Sequence, residues 1–147
     1  MYQKILVVTF GTELSNKAVT EAARLAHAVG AKLLVLHVRS PVDIPHHVEG
    51  GALSRLGEEQ ISKEIYEEER KLLKKATKIA AANGVKAETA FIADLQPYEA
   101  IVRVSEAQQC DVIVMATRIR HGIPGYFVKS ETQKVLENTE IPVLVVR

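Results

Sequence analysis

Short apolar runs rich in β-branched residues, each followed by a stretch of helical periodicity, set the strongest limit on how this chain can fold. Ile5-Leu6-Val7-Val8-Thr9 and Leu33-Leu34-Val35-Leu36-His37-Val38 show little polar alternation, as expected of strands covered on both faces. Between them, Ala18, Ala22, Leu25 and Val29 recur at spacings of three and four. Ser15 is placed to cap that helix and Gly30 to stop it. This opening segment reads as a βαβ unit with parallel strands and a right-handed crossover.

The alternation continues to the end of the chain. From Arg39 to Leu56 the pattern lapses into Pro41, Pro45, His46-His47 and Gly50-Gly51, a long connection closer to a lid or a partner-binding excursion than to a minimal turn. A charged helix from about Glu58 to Asn83 is then expected, with Ile61, Ile65, Leu72, Ala76 and Ile79 facing inward. Glu59 with Lys63 and Glu67 with Lys71 have the spacing of helical ion pairs, each worth about 0.2–0.5 kcal/mol. Val85 to Ile92 alternates more strongly and so belongs nearer a sheet edge. Pro97 suits the first position of a third helix whose buried side carries Tyr98, Ile101, Val102 and Ser105. Asp111 to Ala116 forms a fourth strand, and Ser130 with Gln133 has capping-box spacing before a fourth helix carrying Val135 and Leu136. Ile141 to Val146 closes the chain as a fifth strand. Five strands alternating with four helices make a three-layer α/β sandwich, a pattern that leaves the strand order open.

At 147 residues and 47% apolar content, the chain is sized for one compact domain, residues 1–147. Nineteen Lys and Arg against eighteen Asp and Glu give a formal charge of +1, too little to hold a polyanion, so no nucleic-acid partner is expected. No apolar run approaches the roughly 20 residues of a bilayer span and no leader pattern opens the sequence, so the expectation is a cytoplasmic protein with no membrane association. Cys110 has no partner for an internal disulfide or a zinc motif and reads as a buried structural thiol.

The sequence rules out more chemistries than it supplies motifs for. After the first strand a dinucleotide site needs Gly-x-Gly-x-x-Gly, but the chain has Phe10-Gly11-Thr12-Glu13-Leu14-Ser15 with one glycine. Lys129-Ser130 lacks the glycine spacing of a phosphate-binding loop, and Phe10 stands where a phosphorelay receiver would place a carboxylate. No serine sits in Gly-x-Ser-x-Gly, and no catalytic residue or metal ligand set is assigned. His37 reads as a satisfied polar group near the sheet edge, and His46-His47 as a solvent-facing or interface pair. His121 lies beside Arg118 and Arg120 before the helix that Ser130 begins, where surface charge and anion contact both remain open.

Taken together, Lys4 to Thr12, Leu33 to Val38, Asp111 to Arg118, and Ser130 followed by a short helix and Pro142-Val143-Leu144-Val145-Val146-Arg147 resemble the universal stress protein family across residues 2–147. The resemblance implies an adenine nucleotide alpha hydrolase-like fold with a parallel sheet in the order 3-2-1-4-5, and a homodimer formed through Val143–Val146. Nucleotide-binding members carry Gly-x-x-Gly, nine residues, then Gly and Ser or Thr. Those positions fall here on Ala116, Ile119, Lys129 and Ser130, so the glycines are replaced while the serine and the loop length remain. Ile119 cannot readily supply a positive φ, and Phe10 replaces the family's aspartate at the end of the first strand.

By the same resemblance, a bound nucleotide would place its base against Val8, Thr9 and Val38 and its ribose and phosphates near Thr117, Arg118 and Ser130. Phe10, Gly11, Met115 and Glu131 complete the candidate set. The leading expectation is a non-enzymatic, dimeric stress-response protein acting through protein interaction or signalling, with an unidentified protein partner and no assigned cofactor. The alternative is a regulator that binds AMP or ATP, with slow hydrolysis and Mg held only through the phosphates. A small-molecule sensor with Phe10 as the floor of its cleft is a third reading.

Overall fold

The computed structural model describes residues 1–39, 63–117 and 130–147 in full and residues 51–62 as helical backbone. Strands β1 (Lys4–Thr9), β2 (Lys32–Arg39), β3 (Glu88–Ala93), β4 (Val112–Ala116) and β5 (Val143–Val146) alternate with helices α1 (Glu13–Val29), α2 (Gly51–Ala82), α3 (Pro97–Ala107) and α4 (Glu131–Asn138). All neighbouring strands are parallel, and the order is β3-β2-β1-β4-β5, as the resemblance implied. β1 lies at the centre, in register with β2 from Lys4 opposite Lys32 to Thr9 opposite His37.

The unbroken apolar runs follow from the two cores they serve. On one face, Ile5, Val7, Leu33, Val35 and Val114 pack against the alanines of α1 and α2, notably Ala18, Ala22, Ala26, Ala76 and Ala80. On the other, Leu6, Val8, Leu36, Val38, Ile113 and Met115 meet Ile101 of α3 and Val135 of α4. Alternation along β1, β2 and β4 supplies both sets, so these inner strands need apolar residues at successive positions. Each fully buried Leu or Ile contributes about 1.5–3 kcal/mol relative to exposure. β3 has exposed side chains at Glu88, Thr89, Phe91 and Ala93, in keeping with its edge position. At the end of the sheet where the strands begin, Asp111 accepts from the amides of Gln3 at 2.7 Å and Lys4 at 3.1 Å.

Several local expectations change. Thr12, not Ser15, caps α1: its hydroxyl accepts from the Ser15 amide at 3.1 Å, leaving Ser15 in the first turn. α2 begins at Gly51, inside the segment expected to be a connection, because Ala52, Leu53, Arg55 and Leu56 propagate a helix well. His46-His47 and Ile61 fall outside the residues whose side chains are described. The exposed Glu67 and Lys71 form no ion pair among the described residues, where ordering two long side chains outweighs a weak surface attraction. In α4, Val135 is buried and Leu136 is 49% exposed, with Thr132 taking the second inward position.

Candidate functional site

Strand order reverses around β1, whose neighbours are β2 on one side and β4 on the other. The crevice beyond the carboxyl ends of β1 and β4 is where open α/β sheets place ligands. Its first wall is the turn from Thr9 to Glu13. Gly11 has φ +77, and a Cβ built there would stand 2.6 Å from Leu72 Cδ1 of α2, so this turn needs both the backbone freedom and the small size of glycine. The turn satisfies its own donors: the Phe10 amide donates to Ser15 Oγ at 3.1 Å and the Gly11 amide to Thr9 Oγ1 at 3.2 Å. Two backbone groups that could grip an anion are thus engaged by hydroxyls of the same segment. The Phe10 side chain is 39% exposed, unusual for an aromatic ring next to a buried strand.

Val8, Val38 and Met115 are buried and belong to one apolar cluster on the α3/α4 face. Thr9 is also buried, but strand alternation turns its side chain to the α1/α2 face, where its hydroxyl serves Gly11. The structure therefore groups three of the candidate residues and separates Thr9 from them. Across the crevice, the Thr117 amide donates to the Val146 carbonyl at 2.9 Å, and Thr132 Oγ1 donates to the Ala116 carbonyl at 3.2 Å. These bonds fix the end of β4 against β5 and α4.

Ser130 caps α4 by accepting from the Gln133 amide at 3.1 Å. Glu131 also has a structural task, accepting from the Tyr98 amide at 3.0 Å and so satisfying a donor at the start of α3, where Gln96 makes no side-chain cap. Lys134 Nζ stands 3.2 Å from Glu131 and lies over the Tyr98 ring. Arg118, Ile119, Arg120, His121 and Lys129 lie outside the described residues. Among the described residues, no group of three or more His, Cys, Asp or Glu is placed to hold a metal ion. Among the described residues, the apolar side chains nearest the crevice, Val8, Val38 and Met115, are packed into the core beneath it.

A second polar cluster was missed from the sequence. His37 and Glu69 are both buried; His37 Nδ1 meets Glu69 Oε2, and Arg39 Nη1 lies 3.2 Å from Glu69 Oε1. Arg39 also reaches Glu68 at 3.3 Å, and the His37 ring stacks on Phe91 of β3 with centroids 5.7 Å apart. Burial, aided by the Arg39 charge, lowers the His37 pKa to about 4, so the imidazole is neutral near pH 7. Burial raises the Glu69 pKa while Arg39 opposes the rise. The overlooked signal is Glu69 itself, which sits four residues after Ile65 and three before Leu72, within the inward stripe of α2.

The universal stress protein family model matches residues 1–147. The chain belongs to that family. Universal stress protein MJ0531 of Methanocaldococcus jannaschii is 32% identical over 147 residues, a match covering all of this chain and 83% of that protein. A universal stress protein of Thermus aquaticus, encoded in the 3′ region of a QAH/OAS sulfhydrylase gene, is 31% identical over the full length of both. Among solved structures, that of a universal stress protein in complex with cAMP superposes with a TM-score of 0.74 at 24% identity, covering 99% of this chain and 97% of that one. Universal stress proteins have the adenine nucleotide alpha hydrolase-like fold, and this chain shares it. No helix among the described residues is long and apolar enough to cross a membrane.

Proposed function

We propose that this universal stress protein is a single-domain, non-enzymatic cytoplasmic homodimer that works in stress response through protein interaction or signalling, with an altered nucleotide cleft. The observation that carries this reading is the β1–α1 turn. Phe10 presents an exposed ring there, and the Phe10 and Gly11 amides are already bonded to Ser15 and Thr9. A polar ligand would have to compete with those internal bonds, which costs affinity. Dimerisation through Val143–Val146 is supported by the edge position of β5 and by Leu144 and Leu136, which are 42% and 49% exposed. The test is calorimetric titration with AMP and ATP after copurified ligand has been removed. Weak or absent heat is expected, and tight stoichiometric binding would overturn the altered-cleft reading. A monomer mass by light scattering at micromolar concentration would separately overturn the dimer.

A second reading is favoured by the apolar group Val8, Val38 and Met115 and by the relative crystallised with cAMP. In it the protein is an adenine-nucleotide-binding regulator, with Mg reaching the site only through phosphates. Replacing Arg118 or Ser130 would then weaken AMP binding more than replacing Lys78 of α2. Equal affinity in all three variants would argue against this site.

A further inference from the structure

On the sheet face opposite Val8, Val38 and Met115, a cavity of about 410 Å³ opens between α2 and the edge strand β3. Its walls include Tyr66 and Leu73 of α2 and Phe91 of β3. Tyr66 is 69% exposed and Phe91 41% exposed, so two aromatic side chains that are solvent-facing for a folded core border the same opening. Phe91 is held in place from behind by its stack on the buried His37. Arg70 and Lys74, one helical turn apart, also line the cavity, and neither forms an ion pair among the described residues. Glu69 borders the cavity too, but its two carboxylate oxygens are turned to His37 and Arg39.

These features have the balance of a small-molecule site: apolar and aromatic walls, a few polar groups, and a volume within the usual 300–1,000 Å³ range. The charges favour one sign of ligand. The acidic group is already matched by Arg39, while the two cations at the rim are not matched. The geometry points to a second ligand site, separate from the nucleotide cleft, that takes a small aromatic monoanion with its ring between Tyr66, Leu73 and Phe91 and its carboxylate at Arg70 and Lys74. Arg70 can meet a carboxylate with two parallel donors, and Lys74 adds a mobile charge.

Naphthoate is a suitable probe, with naphthamide as its uncharged counterpart. Titration of the full chain, followed by calorimetry and amide chemical shifts, is expected to show one saturable site with shifts concentrated at Thr89, Phe91 and Lys74. The Arg70→Gln/Lys74→Gln double variant changes exposed side chains, so its fold can be verified by circular dichroism, and it should bind at least about tenfold more weakly. Naphthamide should show the same loss, and AMP added in large excess should leave naphthoate affinity unchanged. The proposal is overturned by absence of saturable binding up to about 5 mM. It is equally overturned by undiminished affinity in the double variant, by equal binding of the amide, by displacement with AMP, or by shifts centred on Phe10, Leu136 or Leu144.

Discussion

Replacing Gly11 by Ala should destabilise the protein by two separable amounts. The first is conformational, because at φ +77 an L-residue pays about 1–2 kcal/mol for the left-handed region. The second is steric, because the new Cβ would lie 2.6 Å from Leu72 Cδ1 and 3.3 Å from its Cγ. Leu72 is half-buried and its methyl end can swing, so relief costs roughly the 0.5–1.5 kcal/mol of an off-rotamer side chain. The expected total is about 1.5–3.5 kcal/mol. Gly30 calibrates the first amount: it has φ +70, yet a Cβ there meets nothing within 4 Å, so Gly30→Ala should cost only about 1–2 kcal/mol. Leu72→Ala then isolates the second. In that background Gly11→Ala should lose only its conformational part, giving a coupling of about 1 kcal/mol, above the roughly 0.3–0.5 kcal/mol scatter of independent sites. Urea unfolding of the four proteins in the cycle measures it, with Gly30→Ala as the external reference. Additive costs for Gly11 and Leu72, or a Gly30→Ala cost as large as that of Gly11→Ala, would refute the claim that α2 packs closely on this turn.

Acid should weaken the fold through His37. Its pKa is about 4 when folded against an ordinary 6.5, so between those values the unfolded chain binds a proton that the folded chain does not, and stability falls as pH drops. Glu69 opposes this, since its raised pKa lets the folded state take up a proton earlier than the unfolded one as pH falls. Because Glu69 is common to both proteins, the comparison isolates His37, and after partial solvent screening wild type should lose about 1 kcal/mol more than His37→Gln between neutrality and pH about 5. Parallel stability curves for the two proteins would remove His37 from the account. Ser130→Ala should cost about 1 kcal/mol with no nucleotide present, because the hydroxyl caps α4 through Gln133. A stability unchanged in urea unfolding would mean that the cap is dispensable.

The fold was legible because a strand covered on both faces leaves a mark that a surface strand does not: Ile5 to Val8 and Leu33 to Leu36 must feed two cores at successive positions. Strand order left no such mark, since parallel neighbours are joined by long crossovers and share no turn chemistry; it came from the family resemblance alone. The α1 cap was misassigned within one turn because Thr12 and Ser15 both carry hydroxyls. What separates them is Gly11, whose positive φ ends the strand and brings Thr12 to the helix start. Glu69 escaped for a related reason: in a helix so rich in charge, one more carboxylate looks solvated until β2 sets His37 and Arg39 opposite it.

The same limit governs the candidate site. Residue type can nominate Ser130, Glu131 and Thr9 as ligand contacts, but the folded chain gives each another partner, the Gln133, Tyr98 and Gly11 amides respectively, while Ser15 takes the Phe10 amide. A hydroxyl can still receive a second bond, whereas each backbone amide has one proton to give. Competition at the Phe10 and Gly11 amides, more than any shortage of polar side chains, is therefore the physical ground for expecting a weakened nucleotide cleft. Freeing the Phe10 amide tests that ground directly. In Ser15→Ala the donor loses its acceptor at 3.1 Å, so AMP affinity should rise if the internal bond is what suppresses binding. An affinity that stays flat in a variant still folded by circular dichroism would locate the obstacle in the Phe10 ring instead.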